Sequence, residues 1–429
     1  MISQDPIEDD VVITGYGAVT PLGNNVDQVY QSLLQGKSGV RLIAPEAGVD
    51  GTKWMAATID NFDGKEHVHP RKSIKVMCRE IQMAFGAAMQ ACRMANITAG
   101  ILPPDRLGTV FTGEIIFSDI SDVEAIVRRC ASNGLMNHSQ WAPEAMENMH
   151  PLWMLKALPN MAACHVGIAL DARGPNNTIT TDETSGLGAA IEAVNVIRRD
   201  KADAMIVGSS ASRVCFTRLL QRYERDYSKS YSCPASACKP FDTHRDGCVP
   251  GESASAIVLE RRSHAKSRGA PILGTVLSWS NTFASSPEPW GSAQQSTENA
   301  LTALLDRSGL DPKMIDHVNA AANGVVRFDA AQSQGIANVL RDVPVVSYKG
   351  ALGDSISGAG IIEWIASIAG MRAGAIAPTT NHTQTSIDCP VNVISKVAKA
   401  RSRSAIIKLS NTSQGNCVGI ALSVENKSA

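Results

Sequence analysis

Nowhere in this sequence do apolar residues run uninterrupted for about 18 positions, the length a membrane-spanning helix needs. That excludes a helical membrane span. An excess of one charge is also missing: 40 Lys and Arg face 41 Asp and Glu. So balanced a chain offers no overall field for nucleic acid or an anionic membrane surface, and leaves only local basic runs such as VIRRDK and ARSRSAIIK. The opening residues, MISQDPIEDD, have neither the basic start nor the apolar run of a secretory signal. Zinc spacing is absent as well. The ten cysteines are scattered, and the nearest pair, Cys233 and Cys238, has no second pair after it. We therefore expect a cytoplasmic protein with reduced thiols, no metal and no cofactor. No Ser/Gly-rich or Pro-rich linker interrupts the chain.

What is present is enough apolar material for a large core. At 429 residues, 44% hydrophobic and 19% charged, the chain suits one large α/β unit or two fused domains. VVITGYGAVTPLG reads as a buried strand running into a Gly/Pro loop, and NVDQVYQSLLQG as a helix. REIQMAFGAAMQACRMA is a helix apolar on more than one side. LGTVFTGE is a strand, and residues 118–165 read as helices and loops rich in Met and Trp. NNTITT, SGLGAAIEAVNVIRRDKA and DAMIVGSSAS follow as strand, helix and strand, a βαβ unit. The second half repeats this grammar. GTVLSWSN, HVNAAAN, VPVVSYKG and SAIIKLSN are strands, while ENALTALLDRSGL and SGAGIIEWIASIAGMRAG are helices. Aligning TSGLGAAIEAV with ISGAGIIEWIA suggests a weak internal duplication.

Four stretches carry a likeness that runs from about Val11 to Val424. They are VVITGYGAVTPLG, ALPNMAACHVGIALDARGPNNTITTDETSG, KPFDTHRDGCVPGESASAIVLE and VVSYKGALGDSISGAGIIEWI. Together they resemble the β-ketoacyl-[acyl carrier protein] synthase family. The resemblance implies a thiolase-like α/β fold, with two similar halves at 1–260 and 261–429 forming a five-layered αβαβα core. It implies two mixed five-stranded sheets and pairing of two chains. The strand before Glu183 and the Met/Trp-rich region would form the contact.

The same resemblance implies a site. The family uses a Cys nucleophile, two His residues and a nearby Lys to condense acyl and malonyl thioesters. Carried over by position, the Cys becomes Glu183, the first His Ala321 and the second His Asp354, while the Lys persists as Lys349. Asp329 matches an acidic residue of the family. The family's Gly-rich loop is replaced by SNTSQGN, which puts Ser413, Gln414 and Gly415 at the expected substrate-binding turn. Two readings of Glu183 stay open. One is a capping carboxylate in a pocket that has lost its chemistry. The other is a general acid or base working with Asp354 and Lys349. His165 reads as a core histidine, and His317 is off the family position. The expected protein is a condensation-inactive, chain-length-factor-like subunit, with acyl carrier protein as transient partner, in a homodimer or in a heterodimer with an active ketosynthase. The alternatives are an enzyme of altered acyl-thioester chemistry and an atypical synthase that still condenses.

Overall fold

The apolar opening stretch is a strand buried at every position but Tyr16, as a strand covered on both faces must be. The computed structural model describes residues 10–43, 53–114, 120–156, 158–214, 218, 226–401 and 404–425. The strands are β1 (Val11–Val19), β2 (Leu107–Thr112), β3 (Asn176–Ile179), β4 (Ala204–Ser212), β5 (Glu252–Arg261) and β6 (Gly274–Phe283). They continue as β7 (Ile315–Asn319), β8 (Pro344–Val346), β9 (Asn392–Val393), β10 (Ala405–Asn411) and β11 (Asn416–Val424). The longer helices begin with α1 (Val26–Leu34), α2 (Arg79–Met94), α3 (Ile120–Cys130), α4 (His138–Asn148) and α5 (Met161–Leu170). After them come α6 (Ser185–Arg198), α7 (Ala293–Ser308), α8 (Val326–Leu340) and α9 (Ala359–Ala373). The Asn25 side chain starts α1 by accepting from the Gln28 backbone N–H.

Two matching sets of five strands appear in the sheet order. One set runs β1-β5-β4-β2-β3 and the other β6-β11-β10-β7-β8, with β9 added at the far edge. In each set the first three strands pair antiparallel and the last three pair parallel. The expectation of two separate sheets needs correction. β1 and β6 pair at Val12–Thr275 and Ile13–Gly274, and this seam joins everything into one eleven-stranded sheet. Three of the eleven strands, β5, β11 and the short β9, went unrecognised in the sequence. HVNAAAN leaves the sheet at Asn319, so Ala320–Asn323 form a loop beyond the strand.

The layers are five. α2 and α5 cover the outside of the first set, and α7 and α8 cover the second. α6 and α9 lie between the sets in the largest apolar cluster. α9 explains itself: every residue from Ala359 to Met371 is buried, the pattern of a helix apolar all round. The two central helices meet close to their first turns. A Cβ on Gly186 would lie 3.3 Å from the Ile361 nitrogen and 3.5 Å from the Gly360 Cα, so even one added carbon is a tight fit and a larger side chain has no room without the helices shifting.

Each central helix is entered through the same bend. Asp182 has φ +50° before the turn Asp182–Thr184 that opens α6, and Ile356 has φ +52° before the turn Ile356–Gly358 that opens α9. The structural match therefore pairs Asp182 with Ile356, Glu183 with Ser357 and Gly186 with Gly360. That shifts the sequence alignment of the two halves by two residues.

Candidate functional site

β3 ends at Ile179, and the bend at Asp182 throws Glu183 into the interior, 8% exposed. The loop after β7 brings Ala321 to the same place, its N–H donated to Gln332 Oε1 at 3.1 Å. The turn after β8 brings Lys349, and Gly353 then reverses the chain at φ +71° to deliver Asp354. The Asp354 backbone is anchored to the segment before β5: its N–H donates to Val249 O at 2.8 Å, and its carbonyl accepts from Gly251 N at 3.0 Å. Glu183, Ala321, Lys349 and Asp354 thus line one cavity. Glu363, Trp290, Phe328, Asn323, Ser410 and Asn411 share its wall.

The wall is strongly ionic and buried. Lys349 Nζ lies 3.0 Å from Asp354 Oδ1 and 3.3 Å from Glu363 Oε1. The other Glu363 oxygen takes Lys408 Nζ, which also donates to Asn319 Oδ1 at 3.1 Å and Ala320 O at 3.2 Å. Asp354 is held further by the Asn323 side-chain amide at 2.8 Å and the Ile356 N–H at 3.1 Å. Lys349, Lys408, Asp354 and Glu363 are each at most 3% exposed. Burial pulls the Lys349 ammonium down, but Asp354, Glu363 and then Glu183 outweigh it and leave its pKa above the ordinary lysine value. Lys408 goes the other way: burial lowers it, Glu363 offsets this only in part, and Lys349 lowers it further. Lys349 is accordingly a locked ammonium, not a nucleophile.

Little space remains. The cavity measures about 10 Å³, whereas one water needs roughly 10–15 Å³. Trp290, held at φ +65°, stacks on Phe328 with ring centroids 4.2 Å apart, and both are fully buried. The Trp290 backbone N–H donates to the Ser413 carbonyl at 2.9 Å. None of the described residues lining the cavity is a cysteine or histidine.

The expected turn Ser413–Gly415 lies elsewhere. It closes the β10–β11 hairpin beyond the Asn411–Cys417 pair and does not line the cavity. Gly415 is fixed there by φ +106° and by the Ala284 carbonyl, which an added Cβ would meet at 1.9 Å. The residues just before it, Ser410 and Asn411, face the cavity instead. His317 is buried away from it, bonded to Asp316 at 2.7 Å and Ser367 at 2.9 Å. His165 is buried on α5, where burial lowers its pKa, and its Nε2 has no partner among the described residues. Asp329 is a loop anchor. It accepts the backbone N–H groups of Phe241, Asn323 and Gly324, while burial pushes its pKa up to about 6.

The comparisons with known proteins agree on one family. The model of the β-ketoacyl synthase N-terminal domain matches residues 8–265, and that of the C-terminal domain matches residues 270–383. The chain belongs to the β-ketoacyl synthase family. Among its relatives is 3-oxoacyl-[acyl-carrier-protein] synthase 2 of Staphylococcus aureus (strain COL). It is 27% identical over 397 residues, 91% of this chain and 92% of that one. A β-ketoacyl synthase from Burkholderia phymatum has the same fold, with TM-score 0.84 at 24% identity over 97% of this chain and all of that one. The ishigamide ketosynthase/chain length factor matches with TM-score 0.79, also at 24% identity, over 97% of this chain and all of that one. At that identity the two structures speak for the fold alone. In this family member the sequence reading missed Glu363, Trp290 and Phe328 at the cavity and Lys408 behind Glu363. Two of them carried a signal: Glu363 is a lone acid in GIIEWIASIAG, and Lys408 a lone base in SAIIKLSN. No helix among the described residues is long and apolar enough to cross a membrane.

Proposed function

We propose that this β-ketoacyl synthase is inactive in condensation and acts as a chain-length-factor-like partner subunit in fatty-acid or polyketide assembly in the cytoplasm. One observation carries the proposal: the cavity holding Glu183, Ala321 and Asp354 has about 10 Å³ of space and is walled by paired charges. An acyl thioester needs more room than that, and condensation needs a nucleophile and donors aimed at a developing oxyanion. A Glu183 carboxylate attacking a thioester would give only a mixed anhydride, and Asp354 would repel a malonyl carboxylate. Pairing is supported by β3, an edge strand with Asn176 and Asn177 exposed, and by two large exposed apolar side chains of the Met/Trp-rich region, Leu135 (76% exposed) in a short hairpin and Met146 (89%) on α4. Structures of the same fold include a ketosynthase/chain length factor and a ketosynthase in complex with its acyl-carrier protein. The division at 1–260 and 261–429 belongs to the same proposal, as does the role of acyl carrier protein as transient partner.

The test is intact-mass and product analysis after incubation with acyl and malonyl carrier proteins, alone and with an active synthase. The unmodified chain should neither become acylated nor release product. Glu183→Cys alone should acylate slowly at most. Condensation should need Glu183→Cys, Ala321→His and Asp354→His together, and also relief of the Trp290–Phe328 stack. Robust condensation by the unmodified chain would overturn the proposal in favour of an atypical active synthase. Turnover of an acyl thioester that disappears in Glu183→Gln would favour altered chemistry.

A further inference from the structure

A larger cavity of about 330 Å³ lies on the outer layer, remote from the charged core. It opens between α2, the end of α5 and the short helical turn Gly64–His67. Its floor is apolar: Phe85 and Met89 from α2 and Leu170 from α5. Cys92 belongs to that floor, and burial raises its thiol to about 12, so it is an inert apolar wall and not a reactive group. The volume falls within the roughly 300–1,000 Å³ of small-molecule sites, which are mostly apolar with a few placed polar groups.

The rim supplies those groups. Arg93 is exposed at the end of α2, and among the described residues no carboxylate sits within ion-pair distance of its guanidinium. His67 is half-buried and stacked on Phe62, with ring planes 4° apart and centroids at 4.9 Å, which fixes the imidazole at the edge of the cavity. His69 stands on the same rim. Glu66 is the acidic member of the lining and is not paired with Arg93. A guanidinium without a partner beside an apolar floor matches an anionic head on an apolar tail. The fork of a guanidinium suits a carboxylate in particular.

We propose that this cavity binds a small amphipathic carboxylate, its tail against Phe85, Met89 and Leu170 and its head on Arg93. The inference is independent of the central site, because none of these residues lines that cavity. The probes are octanoate, with octanol and acetate as the tail-only and head-only comparators, titrated by calorimetry against the full chain. Octanoate should bind saturably at one site, and each comparator at least about tenfold more weakly, a loss near 1.4 kcal/mol. Arg93→Met, at an exposed position, should weaken octanoate by a similar factor without changing the unfolding midpoint. Met89→Trp should fill the cavity and abolish binding. Equal binding of octanol would reduce the site to an unspecific apolar patch and overturn the proposal. So would octanoate binding unchanged in both variants, or the lack of any saturable binding at millimolar ligand.

Discussion

Removing Lys408 should expose how far the buried charges depend on one another. Lys408 is fully buried and its ammonium reaches Glu363, Asn319 and Ala320. Breaking one partner of a buried ion pair commonly costs about 3–5 kcal/mol, because the other charge is stranded. Here Glu363 would keep Lys349 at 3.3 Å, so Lys408→Met should fall near the lower end, ~3 kcal/mol. Glu363→Leu leaves Lys349 on Asp354 but strands the fully buried Lys408, whose one carboxylate partner among the described residues is Glu363, and should cost at least as much. The double variant removes a cation and an anion together and leaves the Lys349–Asp354 contact of 3.0 Å in place. It should therefore cost less than the two singles summed, by ~2 kcal/mol, within the range of about 0.5–3 kcal/mol for groups sharing one network. Urea denaturation followed by circular dichroism measures this, with an unchanged m-value as the check that unfolding stays two-state. Strict additivity would refute the reasoning, and would mean that Lys408 sits neutral on Asn319 and Ala320. The two lysines also differ in sign with pH. The folded pKa of Lys349 is raised, so its contribution is complete below the ordinary lysine value and is lost as pH climbs through the raised one. Lys408 is lowered, so its contribution is complete only above the ordinary value and falls away as pH drops through the folded one.

Two further outcomes follow from the packing and from the anchoring carboxylates. Gly186→Val should push the two central helices apart and lower stability by about 1–3 kcal/mol, the usual cost of overpacking, read as a lower thermal midpoint. Asp242 accepts N–H groups from His244, Thr383 and Gln384, and these outweigh its burial and hold its carboxyl well below the usual carboxylate range. Its contribution is present above the ordinary Asp value and lost as pH falls below it. Asp242→Asn should therefore flatten the acid limb of a stability–pH curve, and an unaltered limb would show that Asp242 is not its source.

Much of the architecture was written in local patterns. The strand–turn–helix grammar occurs twice, and each half built the same five-strand set. The register between halves was harder to read, because Ser-Gly recurs in both turns and aligns equally well two residues away. Only the bends at Asp182 and Ile356 decide it. β5 and β11 hid in runs of small residues, GESASAIVLE and NCVGIALSV, whose burial comes from their neighbours on both sides. At the site, positions matched to a family motif led to Glu183, Ala321, Lys349 and Asp354. Glu363 and Lys408 were visible as lone charges in apolar elements, but what each pairs with lies 45 residues away and is fixed only by the fold. Ser413–Gly415 lies off the cavity because a loop that follows a site residue in sequence is carried past the sheet by hairpin pairing.

The abutting first turns of α6 and α9 have an electrostatic consequence of their own. A helix start carries the equivalent of roughly half a positive charge, and here two such starts abut. The backbone alone therefore makes a cationic focus in the middle of the molecule. Glu183, Asp354 and Glu363 gather there around Lys349, at helix starts where negative charge is favoured. This field belongs to the peptide units and does not depend on which side chain occupies position 183. Neutralising Glu183 would leave it in place.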